Sequence, residues 1–360
     1  MPRTSAPFWP TSSTRLSESP CTVRTLSPIR SSSTSPTEPM SPQSRHPVSE
    51  LYRRTAERAA EAVITSYSTS FGLATKLLGC SHRQHIRNIY ALVRIADEIV
   101  DGLAAEAGLA EVEQREMFEQ FAAATHAALR SGISDNLIIH AFARTARSAG
   151  ICAELIDPFF ASMRTDLEPA VSGPGAEPDA GSRPDRGGGE DGRRDVRGFD
   201  AQAHADYVYG SAEVVGLMCL KVFLIDCDRT PAEVERLEHG ARQLGAAFQN
   251  VNFLRDLADD HQRLGRSYLT SRDRLTEAEK AAWVATIRQQ LAASHDAIAG
   301  LPKDARTAVR CAGALFTALN DRIAATPVED LYRHRVRVPN AVKARLAAQA
   351  LMTTAREGRE

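Results

Sequence analysis

The chain is poor in the features that usually declare a function early. Its six cysteines, Cys21, Cys80, Cys152, Cys219, Cys227 and Cys311, are scattered over 360 residues with no CxxC pair and no Cys/His zinc spacing. That excludes a disulfide framework or a zinc module and fits the reduced thiols of a cytoplasmic protein. Charge of one sign is missing too: 44 Lys and Arg stand against 45 Asp and Glu, a formal net charge of −1. Nucleic-acid-binding surfaces usually carry a basic excess, so no nucleic-acid partner is expected. No apolar run reaches the roughly 18–20 residues that a membrane-spanning helix needs. Strict apolar–polar alternation and Asn-Gly hairpin turns are also lacking, which argues against a β architecture.

What the chain does have is helical periodicity. From Leu51 onward it turns to Ala, Leu, Arg and Glu, and Ile86, Ile89, Tyr90, Val93 and Ala96 recur at three- and four-residue steps. Comparable patterns run over 111–130, 136–148, 152–167, 201–225, 231–261, 276–299, 303–325 and 339–356. The expected fold class is all-α, with residues 48–360 as one domain. Two stretches do not fit the pattern. Residues 1–47 are Ser, Thr, Pro and Arg with few large apolar groups, so they cannot offset their ordering entropy and are expected to be disordered. Their acid-poor make-up is shared by organelle transit peptides, but the prolines break any amphipathic helix, and disorder without targeting is the preferred reading. Residues 168–198 are rich in Gly, Pro, Asp and Arg and read as a flexible surface insertion. The "GGG" within them is no phosphate cradle, since no strand precedes it.

Two segments carry the chemistry. In "RIADEIVDG" (residues 94–102), Asp97, Glu98 and Asp101 crowd among Ile95, Ala96, Ile99 and Val100, with Arg94 one turn earlier. In "FQNVNFLRDLADD" (residues 248–260), Gln249, Asn252, Asp256 and Asp260 recur along one helical face, with Arg255 and Asp259 flanking it. Like charges at i and i+4 destabilise an isolated helix by roughly 0.2–0.5 kcal/mol, and burial adds to that unless a cation is present. One such pair is commonly a solvated helix face. Two on separate helices, each beside an arginine, form a set of hard oxygen donors suited to Mg²⁺, which favours a few carboxylates, water and phosphate oxygens. The arginines can grip diphosphate oxygens through forked hydrogen bonds. The chemistry implied is ionisation of a diphosphate ester.

The blocks "YSTSFGLATKLL", "IRNIYALVRIADEIVDG", "FFASMRTDL", "ADYVYGSAEVVGLM" and "FQNVNFLRDLADDHQRLGRSYL" occur in the order found in the squalene/phytoene synthase family, which the chain resembles from residue 51 to about 345. Its bacterial phytoene synthase branch is the nearest in pattern. The resemblance implies a single-domain, isoprenoid-synthase-type helical bundle with a central apolar cavity. It implies that Asp97, Asp101, Asp256 and Asp260, helped by Glu98 and Asn252, hold Mg²⁺, with Mn²⁺ as an alternative. Glu98 stands where many members have a second aspartate, and support of the neighbouring ligands is its preferred role. Ser68, Ser70, Tyr90, Arg94, Gln249, Asn252, Arg255, Tyr268 and Arg335 are implied to bind the substrate diphosphates. Tyr207 joins the four aspartates in catalysis, and Phe71 and Phe316 line the cavity. Without the family, Ser68 and Ser70 read as helix-capping residues and Phe71 and Tyr90 as core.

The chain departs from the family pattern at Tyr67, usually His, at Phe316, often Tyr, and in the long insertion before Tyr207. The implied reaction is head-to-head condensation of two geranylgeranyl diphosphates to phytoene through a cyclopropylcarbinyl diphosphate, the first step of carotenoid biosynthesis, with no NADPH. A fifteen-carbon dehydrosqualene or squalene synthase is the alternative, and a non-catalytic helical assembly factor is the alternative of another class. A lipid product leaves room for peripheral contact with the inner face of a membrane, though no segment suggests itself as the contact. The sequence is silent on oligomeric state.

Overall fold

The computed structural model describes residues 47–168, 197–261, 266–270 and 274–357. The expected N-terminal extension, apart from Pro47, and nearly all of the expected insertion lie outside them. The described chain is all-α. α1 (Pro47–Tyr67) and α2 (Thr69–Lys76) are separated by Ser68, whose extended backbone and hydroxyl, accepting from the Phe71 N–H, cap α2. α3 (Cys80–Asp97) runs into a π-turn at Glu98–Gly102 and the short α4 (Leu103–Glu106). α5 (Glu111–Ser131) and α6 (Leu137–Ala149) each end on a glycine in the left-handed region, Gly132 at φ 79° and Gly150 at φ 65°, where a side chain would be strained. α7 (Ala153–Asp166) follows.

Beyond the insertion come α8 (Ala201–Val208), a second π-turn at Tyr209–Glu213, and α9 (Val214–Phe223). α10 (Pro231–Arg255) opens with Pro231 at its first turn and a reciprocal cap between Thr230 and Glu233. α12 (Glu277–Ile298) opens with the same device, Thr276 and Glu279. Between them lies one turn, α11 (Leu257–Asp259). α13 (Lys303–Ala324), α14 (Val328–Leu331) and α15 (Asn340–Glu357) complete the chain. The described residues contain one β feature: Arg197–Gly198 (β1) pairs in parallel with Arg266–Ser267 (β2). It stitches the end of the insertion to the segment after α11.

The core is one large apolar cluster to which nearly every helix contributes, with Phe118, Phe142, Phe159 and Phe160 fully buried. Each such side chain contributes about 1.5–3 kcal/mol on burial. Two small clusters dock the outer helices: Ala56, Ala60, Ala91 and Ala141 join α1 to α3 and α6, while Cys311, Leu315, Ala347 and Ala350 join α13 to α15. No helix among the described residues is long and apolar enough to cross a membrane.

Three expected helices are interrupted, and each interruption adjoins the acidic residues or the tyrosines. The pattern over 84–101 predicts one α-helix, but i→i+5 bonding takes over at Glu98, with the Leu103 N–H reaching the Glu98 carbonyl. The 201–225 pattern hides a similar bond from Val214 to Tyr209. The 231–261 pattern breaks at Asp256, where φ −102° and ψ 12° leave the helical region. Apolar periodicity tolerates an extra or a missing residue in one turn, so it reports none of these.

Candidate active site

The helices enclose a cavity of about 680 Å³. Its lining includes apolar side chains such as Leu78, Ile86, Phe223, Leu237, Ile298 and Leu301. It also includes a set of charged and polar side chains, and the interruptions explain how they are assembled. The first π-turn brings Asp101 to the wall beside Asp97, and Gly102 leaves room for Glu98, whose Oε2 would lie 2.6 Å from any Cβ there. The break at Asp256 turns the chain so that Asp256, Asp259 and Asp260 all line the same cavity. The two acidic segments, far apart in sequence, share one wall system.

Charge is arranged in arginine–carboxylate pairs. Arg94 donates to Glu98 and lies over the Tyr67 ring, its guanidinium carbon 4.5 Å from the centroid. Arg255 donates to both oxygens of Asp256, at 2.8 and 2.5 Å, and Arg335 adds a further bond to the same carboxylate at 2.8 Å. Burial works against the Arg94 charge, yet Asp97 and Glu98 outweigh it and hold its pKa above the usual value. Arg335 goes the other way, lowered by burial and by the nearby Arg255. Asp97 lines the cavity but is crowded by protein atoms. Burial first, and the Asp101 carboxylate second, push it up to about 8.

Among the described residues no three His, Cys, Asp or Glu side chains converge on a single point. A divalent ion would therefore need oxygens from the substrate as well, which is how Mg²⁺ is usually held at phosphate sites. Several buried atoms of the cavity wall lack hydrogen-bond partners: Arg94 Nε, Asn252 Oδ1 and Ser211 Oγ. Buried polar atoms without partners are rare in native proteins, and at a cavity wall they suit a polar ligand. The donor set of carboxylate and amide oxygens fits a hard cation.

Most residues singled out in the sequence come together here. Ser68, Phe71, Tyr90, Arg94, Asp97, Glu98, Asp101, Tyr207, Gln249, Asn252, Arg255, Asp256, Asp260, Tyr268 and Arg335 all border the cavity. Ser70 and Phe316 do not. Phe316 stacks on Phe248 at 3.9 Å and packs against Phe71 at 5.4 Å, so it supports the wall from behind. Sequence reasoning passed over Asp166, which ends α7, is buried, and accepts hydrogen bonds from Tyr207 and Tyr268. The block "FFASMRTDL" contains it, but no second carboxylate stands one helical turn away to make an acidic motif of it. Tyr67, a departure from the family pattern, lies under the Arg94 guanidinium, a contact between helices that spacing along the chain does not report.

The architecture defines a class first. The chain superposes on a dehydrosqualene synthase solved with a ligand at a TM-score of 0.62, with 18% identity, over 84% of this chain and 98% of that one. The squalene synthase HpnC of Alicyclobacillus acidocaldarius matches at 0.56 and 14% identity, over 77% and 97%. The fold is thus the isoprenoid-synthase-type helical bundle. The squalene/phytoene synthase family model matches residues 64–342, and the chain belongs to that family. A 4,4'-diapophytoene synthase of Staphylococcus haemolyticus is 28% identical over 219 residues, 60% of this chain and 62% of that protein. A chloroplastic phytoene synthase of an Oncidium hybrid cultivar is 28% identical over 220 residues, 60% and 44%. The match spans less than two thirds of either relative's length.

Proposed function

We propose that the protein is a head-to-head prenyltransferase that condenses two geranylgeranyl diphosphates to phytoene by way of a cyclopropylcarbinyl diphosphate. The observation that carries this reading is the joining of two acidic segments in the wall of a single cavity that many apolar side chains also line. Asp97 and Asp101 on one side, and Asn252, Asp256 and Asp260 on the other, would hold Mg²⁺. When bound, the metal neutralises charge developing on the departing diphosphate.

The protein's own groups supply the rest. Arg94, Arg255 and Arg335 offer donors to diphosphate oxygens. Arg255 and Arg335 can exchange the Asp256 carboxylate for phosphate, since both are anionic partners of similar geometry. The apolar part of the lining disfavours water, which would capture an allylic cation as an alcohol. Aromatic faces at the wall, Phe71 and Tyr90 among them, attract positive charge. Nothing in this chemistry consumes a reductant, so no NADPH is required.

Incubating the purified chain with Mg²⁺ and either farnesyl or geranylgeranyl diphosphate, then analysing the products, tests the proposal. Phytoene from the twenty-carbon substrate is the expected result. A thirty-carbon hydrocarbon alone would assign the enzyme to the dehydrosqualene or squalene branch. Absence of pyrophosphate release and of hydrocarbon with both substrates would favour a non-catalytic assembly role. A lipid product is the sole support for peripheral contact with a membrane.

A further inference from the structure

The buried Asp166 carboxylate has a role in this cavity that the acidic motifs do not account for. It sits at the last turn of α7, 8% exposed. Its Oδ2 accepts from the Tyr207 hydroxyl at 2.5 Å and its Oδ1 from the Tyr268 hydroxyl at 2.8 Å. The two tyrosines arrive from different places. Tyr207 lies near the end of α8, just before the second π-turn, and Tyr268 follows β2. Their rings pack 5.1 Å apart, and Phe253 stacks on Tyr268 at 4.4 Å, so neither phenol is loosely held. Both tyrosines line the cavity, and Asp166 lies near enough to the first acidic motif to raise the Asp97 pKa.

Because both hydroxyl hydrogens point at Asp166, the phenols are fixed with the negative ends of their O–H dipoles turned away from it. A buried anion with two dipoles locked by it is an unusual thing to place beside an apolar cavity, unless positive charge forms there. Oriented dipoles in a water-poor site stabilise a developing charge without reorganising. We infer that Asp166 is a positioning residue that locks Tyr207 and Tyr268 so that their oxygens stabilise the carbocation formed in the cavity, favouring its capture by the second prenyl chain over escape to water. The inference rests on the prenyltransferase reading above. Asp166 itself touches neither metal nor diphosphate in this role, which separates it from the four motif aspartates.

The test uses the full chain with Mg²⁺ and each of the two prenyl diphosphates, measuring pyrophosphate, hydrocarbon and prenyl alcohol together. Asp166→Asn keeps the shape, but its amide group donates where the carboxylate accepted, so one phenol must reverse. KM is expected to stay within about threefold of the wild-type value, since Arg94, Arg255 and Arg335, the charged donors to diphosphate, are untouched. Hydrocarbon formed per pyrophosphate released should fall about tenfold, with alcohol rising in its place. Tyr207→Phe should shift the ratio in the same direction. An unchanged ratio in a folded Asp166→Asn protein would overturn the inference and leave Asp166 a structural residue. If that variant does not fold, the Tyr207→Phe/Tyr268→Phe double variant decides by the same ratio. Failure of the wild-type chain to release pyrophosphate from either substrate would instead sink the prenyltransferase reading, and this inference with it.

Discussion

Arg335 and Asp256 stand 79 positions apart in sequence, yet Arg335 Nε donates to Asp256 Oδ1 at 2.8 Å in the wall of the cavity. The same carboxylate already receives Arg255, so one anion lies between two guanidinium groups. That arrangement suits a site awaiting a second, more highly charged anion. Arg335 is 44% exposed, so its bond to Asp256 contributes little stability. Replacing Arg335 with Ala is therefore expected to leave thermal stability nearly unchanged and to raise KM for the prenyl diphosphate about tenfold, more than it lowers kcat. Steady-state kinetics at two salt concentrations would check this. An unchanged KM would remove Arg335 from the diphosphate contacts.

Asp97→Asn and Asp256→Asn separate the two acidic segments. Each is expected to lower turnover by about a hundredfold or more, because each replaces a carboxyl group that can bind a cation as its carboxylate with a neutral amide. The helical circular dichroism should not change. The two should differ in substrate affinity: Asp256→Asn frees Arg255 and Arg335 from their carboxylate partner, whereas Asp97→Asn frees no arginine that Asp97 alone holds. Diphosphate binding without metal should therefore tighten in Asp256→Asn and not in Asp97→Asn. Equal affinities by calorimetry would contradict the competition between carboxylate and diphosphate.

The helices were legible because apolar spacing reports which face meets the core, and the acidic motifs were legible because carboxylates in apolar company are conspicuous. The interruptions were not. Asp101 reaches the cavity through a π-turn, and Asp259 joins Asp256 and Asp260 only because α10 breaks. Both depend on how one helix lies against others, information that a periodic pattern does not carry. Asp166 was hidden for a similar reason, since its phenol partners are 41 and 102 residues away. Phe316 was legible as an aromatic of this region but not as a residue behind the wall, which only its stacking on Phe248 reveals.

The approach of α10 to the second π-turn depends on Gly245. A Cβ built there would lie 2.6 Å from the Ala212 carbonyl oxygen, which is backbone and cannot rotate aside. Gly245→Val should thus cost about 1–3 kcal/mol in unfolding free energy, the usual range for an overpacked interface. Ser211 and Ala212 border the cavity, so the displaced turn should also reduce turnover. Denaturant unfolding alongside the product assay would test both. Full stability in this variant would mean that the helices can separate without cost.

His204 gives the fold an acid limit apart from catalysis. Its ring lies 4.6 Å from Trp283 and 5.9 Å from Phe253, and its Nε2 is buried without a hydrogen-bond partner. Burial lowers its pKa from 6.5 to about 4. The unfolded chain therefore takes up a proton at higher pH than the folded one does. Stability from this residue is complete above pH 6.5, declines as pH falls from 6.5 toward 4, and levels off below that. At 1.36 kcal/mol per pKa unit the loss is about 3 kcal/mol. His204→Phe, which keeps an aromatic ring against Trp283 and has nothing to protonate, should be nearly neutral at pH 7.5 and more stable than the wild-type chain at pH 4.5. Calorimetric melting across that range would check it, and parallel stability curves for the two proteins would show that His204 is protonated as readily in the fold as outside it.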